Sequence, residues 1–166
     1  MIPFVTVPEN SKTLIQLHFM IKTALITGAT SGIGKATAKL LAQNNFKIVL
    51  CGRRKDRLEA LEKELSAFTA VHHLCFDVRD KKSVFESIAS LPEAFSDIDI
   101  LVNNAGNAHG LDSIQNGDMD DWDAMIDINV KGLLYVSKAI IPKMIAKESG
   151  HIINIGSIAG KEVYPN

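Results

Sequence analysis

From Met20 onward, short apolar runs alternate with stretches whose apolar residues recur at helical spacing. The apolar runs predict five strands, at Lys22–Thr27, Lys47–Cys51, Val71–Phe76, Asp99–Asn103 and His151–Gly156. The stretches between them predict helices at Gly32–Gln43, at Lys55–Ser66, from Asp80 to just before Pro92, and from about Asp120 to Lys147. In the first helix, Ile33, Ala36, Leu40 and Leu41 are expected to lie on one face.

Continuous apolar strands that alternate with helices are typical of a parallel sheet covered on both faces. Because crossover connections are right-handed, the pattern predicts a doubly wound α/β fold of the Rossmann type. Residues 1–19 fit none of this pattern, since Pro3, Pro8 and Asn10 interrupt any period. We therefore expect an N-terminal extension at 1–19 that contributes little to the core, and an incomplete Rossmann-type domain from residue 20 to residue 166.

The first predicted strand leads into the turn Thr27-Gly28-Ala29-Thr30-Ser31-Gly32-Ile33-Gly34, which opens the first helix. Gly28 allows the tight turn, Gly32 lets backbone approach a ligand, and Gly34 lets the helix pack closely. Backbone amides at a helix N-terminus bind phosphate groups, helped by the helix dipole. Because the glycines lie between a strand and a helix, the turn predicts a dinucleotide site formed by Thr27, Gly28, Ser31, Gly32, Ile33 and Gly34.

Thr-Gly-x-x-x-Gly-x-Gly resembles the short-chain dehydrogenase/reductase family, and four further motifs follow in the family's order. They are Asp77-Val78, Asn103-Asn104-Ala105-Gly106, Ile128-Asn129-Val130-Lys131-Gly132 and Ile155-Gly156-Ser157. The resemblance spans residues 22–160 and implies the strand order 3-2-1-4-5. The segments from Ile98 to Gly106 and from Gly150 to Gly160 are most similar to the family's NADP-dependent 3-hydroxy acid or serine dehydrogenases.

The resemblance also implies roles for individual residues. Asp77 and Val78 would contact the adenine, and Asn103, Ala105 and Gly106 would line the cofactor site. Ser157 would be the catalytic serine that binds the substrate oxygen, and Asn129 the helix asparagine that anchors a water. Structural alternatives stay open. Asp77 could be a strand-end cap, and Asn103 and Asn104 could satisfy loop backbone. Ser157 could cap a turn, and Asn129 could fill a helix irregularity.

The end of the second strand indicates which dinucleotide the site takes. Sites for NAD place an acidic residue about 20 residues beyond the glycine turn. Here the segment reads Leu50-Cys51-Gly52-Arg53-Arg54, without an acid. A guanidinium can hold a 2′-phosphate in two hydrogen bonds, so Arg53 and Arg54 predict NADP rather than NAD. The alternative is a solvated basic start to the second helix.

The family's acid/base is the tyrosine of a Tyr-x-x-x-Lys segment, whose lysine lies one helical turn later and lowers the tyrosine pKa. No such pair occurs in the 166 residues. Tyr164 lies only seven residues after Ser157 and precedes Pro165, so we do not expect it to serve. Two family strands are expected beyond residue 166, which would leave the fifth strand with an unpaired edge.

Composition excludes several other classes of protein. A formal net charge of −1 gives no bulk attraction for nucleic acid or acidic lipid. The two cysteines, Cys51 and Cys75, close apolar runs and are expected to be buried and reduced, which favours the cytoplasm. No segment is long and apolar enough for a membrane span, and the five histidines form no metal-ligand pattern.

The sequence therefore predicts an NADP-dependent short-chain oxidoreductase that moves a hydride between nicotinamide and a small hydroxy or carbonyl compound. The chain as printed is expected to be inactive alone. Two alternatives stay open, a non-catalytic dinucleotide-binding fragment of a truncated gene and a partner subunit for an intact relative. Full-length relatives are expected to form homo-oligomers.

Overall fold

The computed structural model describes residues 21–110 and 112–162, which contain a parallel five-stranded sheet in the order β3-β2-β1-β4-β5. The strands are β1 (Thr23–Thr27), β2 (Lys47–Gly52), β3 (Val71–Cys75), β4 (Ile100–Asn103) and β5 (His151–Asn154). The predicted fold and strand order are confirmed. The expectations for residues 1–19 and for Tyr164 lie outside the described residues.

The central strand β1 is buried along its whole length, and its alternating side chains enter two separate cores. Leu25 faces one core together with Val49 and Leu101, its register partners on β2 and β4. Its neighbours Ala24 and Ile26 face the other core. The continuous apolar run of this strand therefore reflects a sheet that is covered on both faces.

Helices cover each face of the sheet. Helices α1 (Gly32–Gln43) and α2 (Lys55–Leu65) lie on one face, and helix α3 (Lys81–Ala89) packs on the other, followed by a short 3-10 turn at Glu93–Phe95. Asp80 caps α3, because its side chain accepts a hydrogen bond from the Ser83 backbone N–H at 3.1 Å. Among the described residues, no helix is apolar over a length that could cross a bilayer.

Of the four residues predicted to share one face of α1, only Leu41 is partly buried against the core. Ile33 and Leu40 are 61% and 62% exposed, and Ala36 is also exposed. The buried positions are Gly34, Ala38 and Ala42, three small residues four positions apart. Small side chains let the helix lie close to the sheet, so they mark the contact face here, whereas the larger apolar side chains point outward.

The single long helix predicted from about Asp120 to Lys147 is interrupted. The structure has α4 (Met119–Ile126), a π-helical segment at Asp127–Gly132, and α5 (Leu133–Ala146). Apolar spacing does not reveal this change, because the π segment is only 6 residues long and lies between two α-helices. The π segment contains Asn129, and such segments occur frequently at functional sites.

Two further expectations concern exposure. Cys51 is buried, as predicted, but Cys75, the last residue of the edge strand β3, is exposed. Burial raises the pKa of the Cys51 thiol far above its ordinary value. All four residues of β5 are exposed, and in the described structure this strand pairs with β4 alone.

Candidate cofactor-binding site

A cleft of about 410 Å³ lies at the carboxyl ends of β1, β2 and β4, above the point where the strand order reverses. Parallel sheets bind their ligands at such points. The predicted residues that line the cleft are Gly28, Ser31, Gly32, Ile33, Arg53, Arg54, Asp77, Val78, Ala105 and Gly106. The lining also includes Gly52, Phe76, Asn104 and Ile128.

The glycine turn forms the floor of the cleft, and its geometry requires glycine at Gly28, at Gly32 and at Gly34, where a Cβ would lie 2.5 Å from Gly28 O. Gly28 and Gly32 have φ of +65° and +53°, in the left-handed region that side chains disfavour. A Cβ on Gly28 would lie 2.8 Å from Asn104 Nδ2, whereas a Cβ on Gly32 would meet nothing within 4 Å. Gly32 therefore faces open space in the cleft, at the N-terminus of α1, where backbone N–H groups have no intrahelical partner.

Thr27 connects β1 to the end of β4 and lies behind the lining rather than in it. Its Oγ1 accepts hydrogen bonds from the backbone N–H of Asn104 and of Ala105, each at 3.0 Å, and donates to Val102 O at 3.4 Å. The side chain is 2% exposed. Thr27 thus fixes where the segment after β4 lies over the cleft.

The two asparagines after β4 have different surroundings. Asn104 lines the cleft, and its Nδ2 donates to the carbonyl oxygens of Thr27 and Gly28 at 2.9 and 3.2 Å. Asn103 is buried behind it, where its Nδ2 donates to Ser137 Oγ and Asn154 Oδ1, both at 3.0 Å. Asn103 therefore links β4 to α5 and β5, whereas Asn104, the second asparagine of the predicted motif, lies at the cleft.

Arg54 reaches back from the start of α2 to the glycine turn. Its Nη2 donates to Ser31 Oγ at 3.0 Å, and both Nε and Nη2 donate to Thr30 Oγ1. A Cβ on Gly52 would lie 3.0 Å from Thr30 Cγ2, so the position where an acidic residue would stand is closely packed. Thr30 was not selected from the sequence. Its hydroxyl positions a cation beside the phosphate turn.

Arg53 extends over the mouth of the cleft and is 56% exposed. Its only ion-pair partner among the described residues is Asp77, with 3.5 Å between Nη1 and Oδ2. Asp77 forms much closer hydrogen bonds with Arg79, of which the shortest is 2.7 Å. Burial acts to raise the pKa of Asp77, but the hydrogen bonds and charge of Arg79, together with the charge of Arg53, lower it below its ordinary value.

Asn129 closes the far side of the site from the π segment. Its Oδ1 accepts from the Asn107 backbone N–H at 2.9 Å, and its Nδ2 donates to the Asn107 carbonyl at 2.8 Å. A Cβ on Gly106 would lie 2.9 Å from Asn129 Oδ1. The asparagine therefore holds the loop after β4, so it both fills a helix irregularity and contacts the site.

Ser157 lies beyond the end of β5 and caps the 3-10 turn Ile158–Gly160, since its Oγ accepts from the Ala159 backbone N–H at 3.2 Å. It is exposed and does not line the cleft. Within the described residues, no hydrogen bond joins it to Asn129. Nor does any group of His, Cys, Asp and Glu in that part of the chain form a metal site.

Residues 22–166 match the family described as short chain dehydrogenase. The chain belongs to the short-chain dehydrogenase family. It is 46% identical over 140 residues to the NADP-dependent 3-hydroxy acid dehydrogenase YdfG of Salmonella typhi, an alignment that covers 84% of this chain and 56% of that protein. The chain thus spans little more than half the length of this curated relative.

Solved structures of two other dehydrogenases share the fold. The closed form of serine dehydrogenase complexed with NADP+ is 43% identical, with a TM-score of 0.80 over 86% of this chain and 56% of that one. NAD+-bound xylitol dehydrogenase is 34% identical, with a TM-score of 0.83 over 87% of this chain and 56% of that one. The fold therefore occurs with both dinucleotides, so the choice between them depends on individual side chains in this short-chain dehydrogenase.

Proposed function

We propose that this short-chain dehydrogenase chain binds NADP in the cleft above β1 and β4. One observation carries the proposal: at the end of β2, Gly52 stands in place of an acidic residue, and Arg53 and Arg54 follow it at the cleft mouth. A carboxylate there would repel a 2′-phosphate, whereas the exposed guanidinium of Arg53 can form short, charge-assisted hydrogen bonds with its oxygens. The names of YdfG and of the serine dehydrogenase complex, which specify NADP, support the same choice.

The cleft suits the rest of a dinucleotide. The left-handed Gly32 leaves space beside the N-terminus of α1, where N–H groups and the helix dipole can bind a pyrophosphate. Arg54 holds Thr30 and Ser31 of the same turn in place. The apolar side chains of Phe76, Val78 and Ile128 line the wall on which an adenine ring would pack.

The phosphate turn can be tested with Gly32→Ala, whose methyl group would occupy the space left for the pyrophosphate. We expect affinity for both NADP+ and NAD+ to fall by about tenfold to a hundredfold. Gly110→Ala is the matched control, since Gly110 also has a positive φ, +65°, but does not line the cleft. Equal affinities of wild type and Gly32→Ala in calorimetric titrations would contradict the proposed site.

We further propose that the complete reaction is hydride exchange with a small hydroxy or carbonyl compound. Bound NADPH would supply the hydride, and NADP+ would accept it. The Ser157 hydroxyl, exposed after β5, is free to donate to a substrate oxygen where charge develops. Asn129 would hold the Asn107 segment over the nicotinamide end of the cleft. The names of the relatives, a 3-hydroxy acid dehydrogenase and a serine dehydrogenase, support this substrate class.

The chain of 166 residues is proposed to have no measurable turnover by itself. It contains two tyrosines, Tyr135 and Tyr164, and neither is followed by a lysine four residues later within the sequence. An acid/base group contributes about 10²–10⁴-fold to rate. Purified chain should not oxidise NADPH with small aldehydes, ketones or 3-oxo acids, measured by nicotinamide absorbance. Turnover that vanished in Tyr164→Phe would contradict this proposal.

A further inference from the structure

The carboxylate of Asp77 lies between two guanidinium groups that it binds unequally. Arg79 donates to it from the backbone N at 3.0 Å, from Nε at 3.1 Å to each oxygen, and from Nη2 at 2.7 Å. Arg53 approaches only one oxygen, at 3.5 Å, which is at the outer limit of a hydrogen bond. Asp77 is therefore bound mainly by Arg79.

A carboxylate has roughly four acceptor positions, and the four contacts from Arg79 use that capacity. The Asp77 side chain is 26% exposed, so water compensates its charge less than it would at the surface. Arg53 is the nearest other cation to Asp77 in the described structure. If the Arg79 side chain were removed, Arg53 would therefore be drawn from the cleft mouth onto Asp77.

We propose that Arg79 is a positioning residue for cofactor specificity, which binds Asp77 and so leaves the Arg53 guanidinium available for the 2′-phosphate of NADP. The inference rests on the proposed function, because it assumes that Arg53 meets that phosphate. Arg79 itself does not line the cleft. Its effect reaches the cofactor through the Asp77–Arg53 contact.

The test compares dissociation constants of NADP+ and NAD+ in the full chain, measured by calorimetry. Arg79→Ala should lower the ratio of NADP+ to NAD+ affinity by about tenfold. NADP+ would lose the contact between its 2′-phosphate and Arg53, whereas NAD+ has no 2′-phosphate and would be unaffected. Arg79→Lys keeps the charge without the planar fork and should give an intermediate ratio. Asp77→Asn combined with Arg79→Ala should recover most of the ratio, because the charge that attracts Arg53 is gone.

Lys82→Ala is the control for loss of a nearby positive charge. Lys82 is 83% exposed, and its ion-pair partner is Glu86 at 3.8 Å, so the ratio should stay at the wild-type value. If Arg79→Ala weakened both cofactors equally, Arg79 would have only a structural role and the inference would be overturned. A wild-type chain without NADP+ preference would instead overturn the proposed function, and the inference with it.

Discussion

The guanidinium of Arg54 donates to the Thr30 hydroxyl from Nε at 3.1 Å, and thereby joins the end of β2 to the glycine turn that follows β1. The same group reaches Ser31 Oγ, so one side chain fixes two residues of the phosphate turn. This contact is separate from that of Arg53, which extends over the cleft mouth. The two adjacent arginines are therefore expected to affect binding in different ways.

Arg54→Ala should weaken NADP+ and NAD+ together, because the turn that holds the pyrophosphate common to both loses its support. Thr30→Val, which keeps the side-chain shape but removes the hydroxyl, should weaken both cofactors in the same direction. Because the two substitutions remove the same interaction, the double variant should lose less binding free energy than the two single variants lose in sum. The expected coupling free energy is about 0.5–3 kcal/mol. Additive losses in calorimetric titrations would show that the contact does not support the turn.

Thr27→Val should destabilise the fold by about 2 kcal/mol, because the backbone N–H groups of Asn104 and Ala105 would lose their acceptor. Thr23→Val is the matched control on the same strand. Thr23 is also buried, and its hydroxyl makes no hydrogen bond within the described residues. Urea unfolding should separate the two variants. Equal free energies of unfolding would mean that Thr27 does not hold β4 to β1.

Gly106→Ala should cost about 1–3 kcal/mol of stability, since the new methyl group would lie 2.9 Å from Asn129 Oδ1 and displace it from the Asn107 backbone. Gly156→Ala serves as the control, because a Cβ there meets nothing within 4 Å. Thermal unfolding of both variants checks the prediction. A Gly106→Ala variant as stable as Gly156→Ala would show that the Asn129 contact is loose.

The lowered pKa of Asp77 predicts a pH dependence of stability. A carboxyl whose pKa is lower in the folded chain stabilises the fold above its unfolded value, near the ordinary 3.8, and this contribution disappears as pH falls through the folded value. Wild type should therefore be more stable than Asp77→Asn at pH 6, and the difference should shrink below about pH 4. Urea unfolding from pH 6 to pH 2 measures it. A difference that did not change with pH would exclude the ionised pair as its source.

The sheet could be predicted from the sequence because each of its strands is a short apolar run that ends at a polar turn. Details that depend on packing could not be predicted in this way. Leu40 has the right spacing for a buried face, but the sheet contacts the small residues Ala38 and Ala42 instead. The π segment around Asn129 could not be predicted from the spacing of apolar residues either, because it differs from an α-helix in its backbone hydrogen bonds.

The lining of the site could be predicted where a backbone position requires glycine, as at Gly28 and Gly32. Side-chain partners were harder to foresee. Sequence motifs do not distinguish Asn103 from Asn104. The side chain of Asn103 is buried and bound to α5 and β5, whereas that of Asn104 lines the cleft. Arg79 follows the motif Asp77-Val78 and carries no signal of its own, because its importance lies in a three-dimensional contact.

The central claim is that Arg53 gives this short-chain dehydrogenase its preference for NADP, and one titration tests it most directly. NADP+ and NAD+ are titrated into wild type, Arg53→Ala and Lys55→Ala, the last a control that removes a charge from a side chain 69% exposed and paired with Glu59. We predict that wild type prefers NADP+, that Arg53→Ala lowers the preference by about tenfold to a hundredfold, and that Lys55→Ala keeps it. Equal wild-type affinities for the two cofactors, or a preference that persists in Arg53→Ala, would contradict the account.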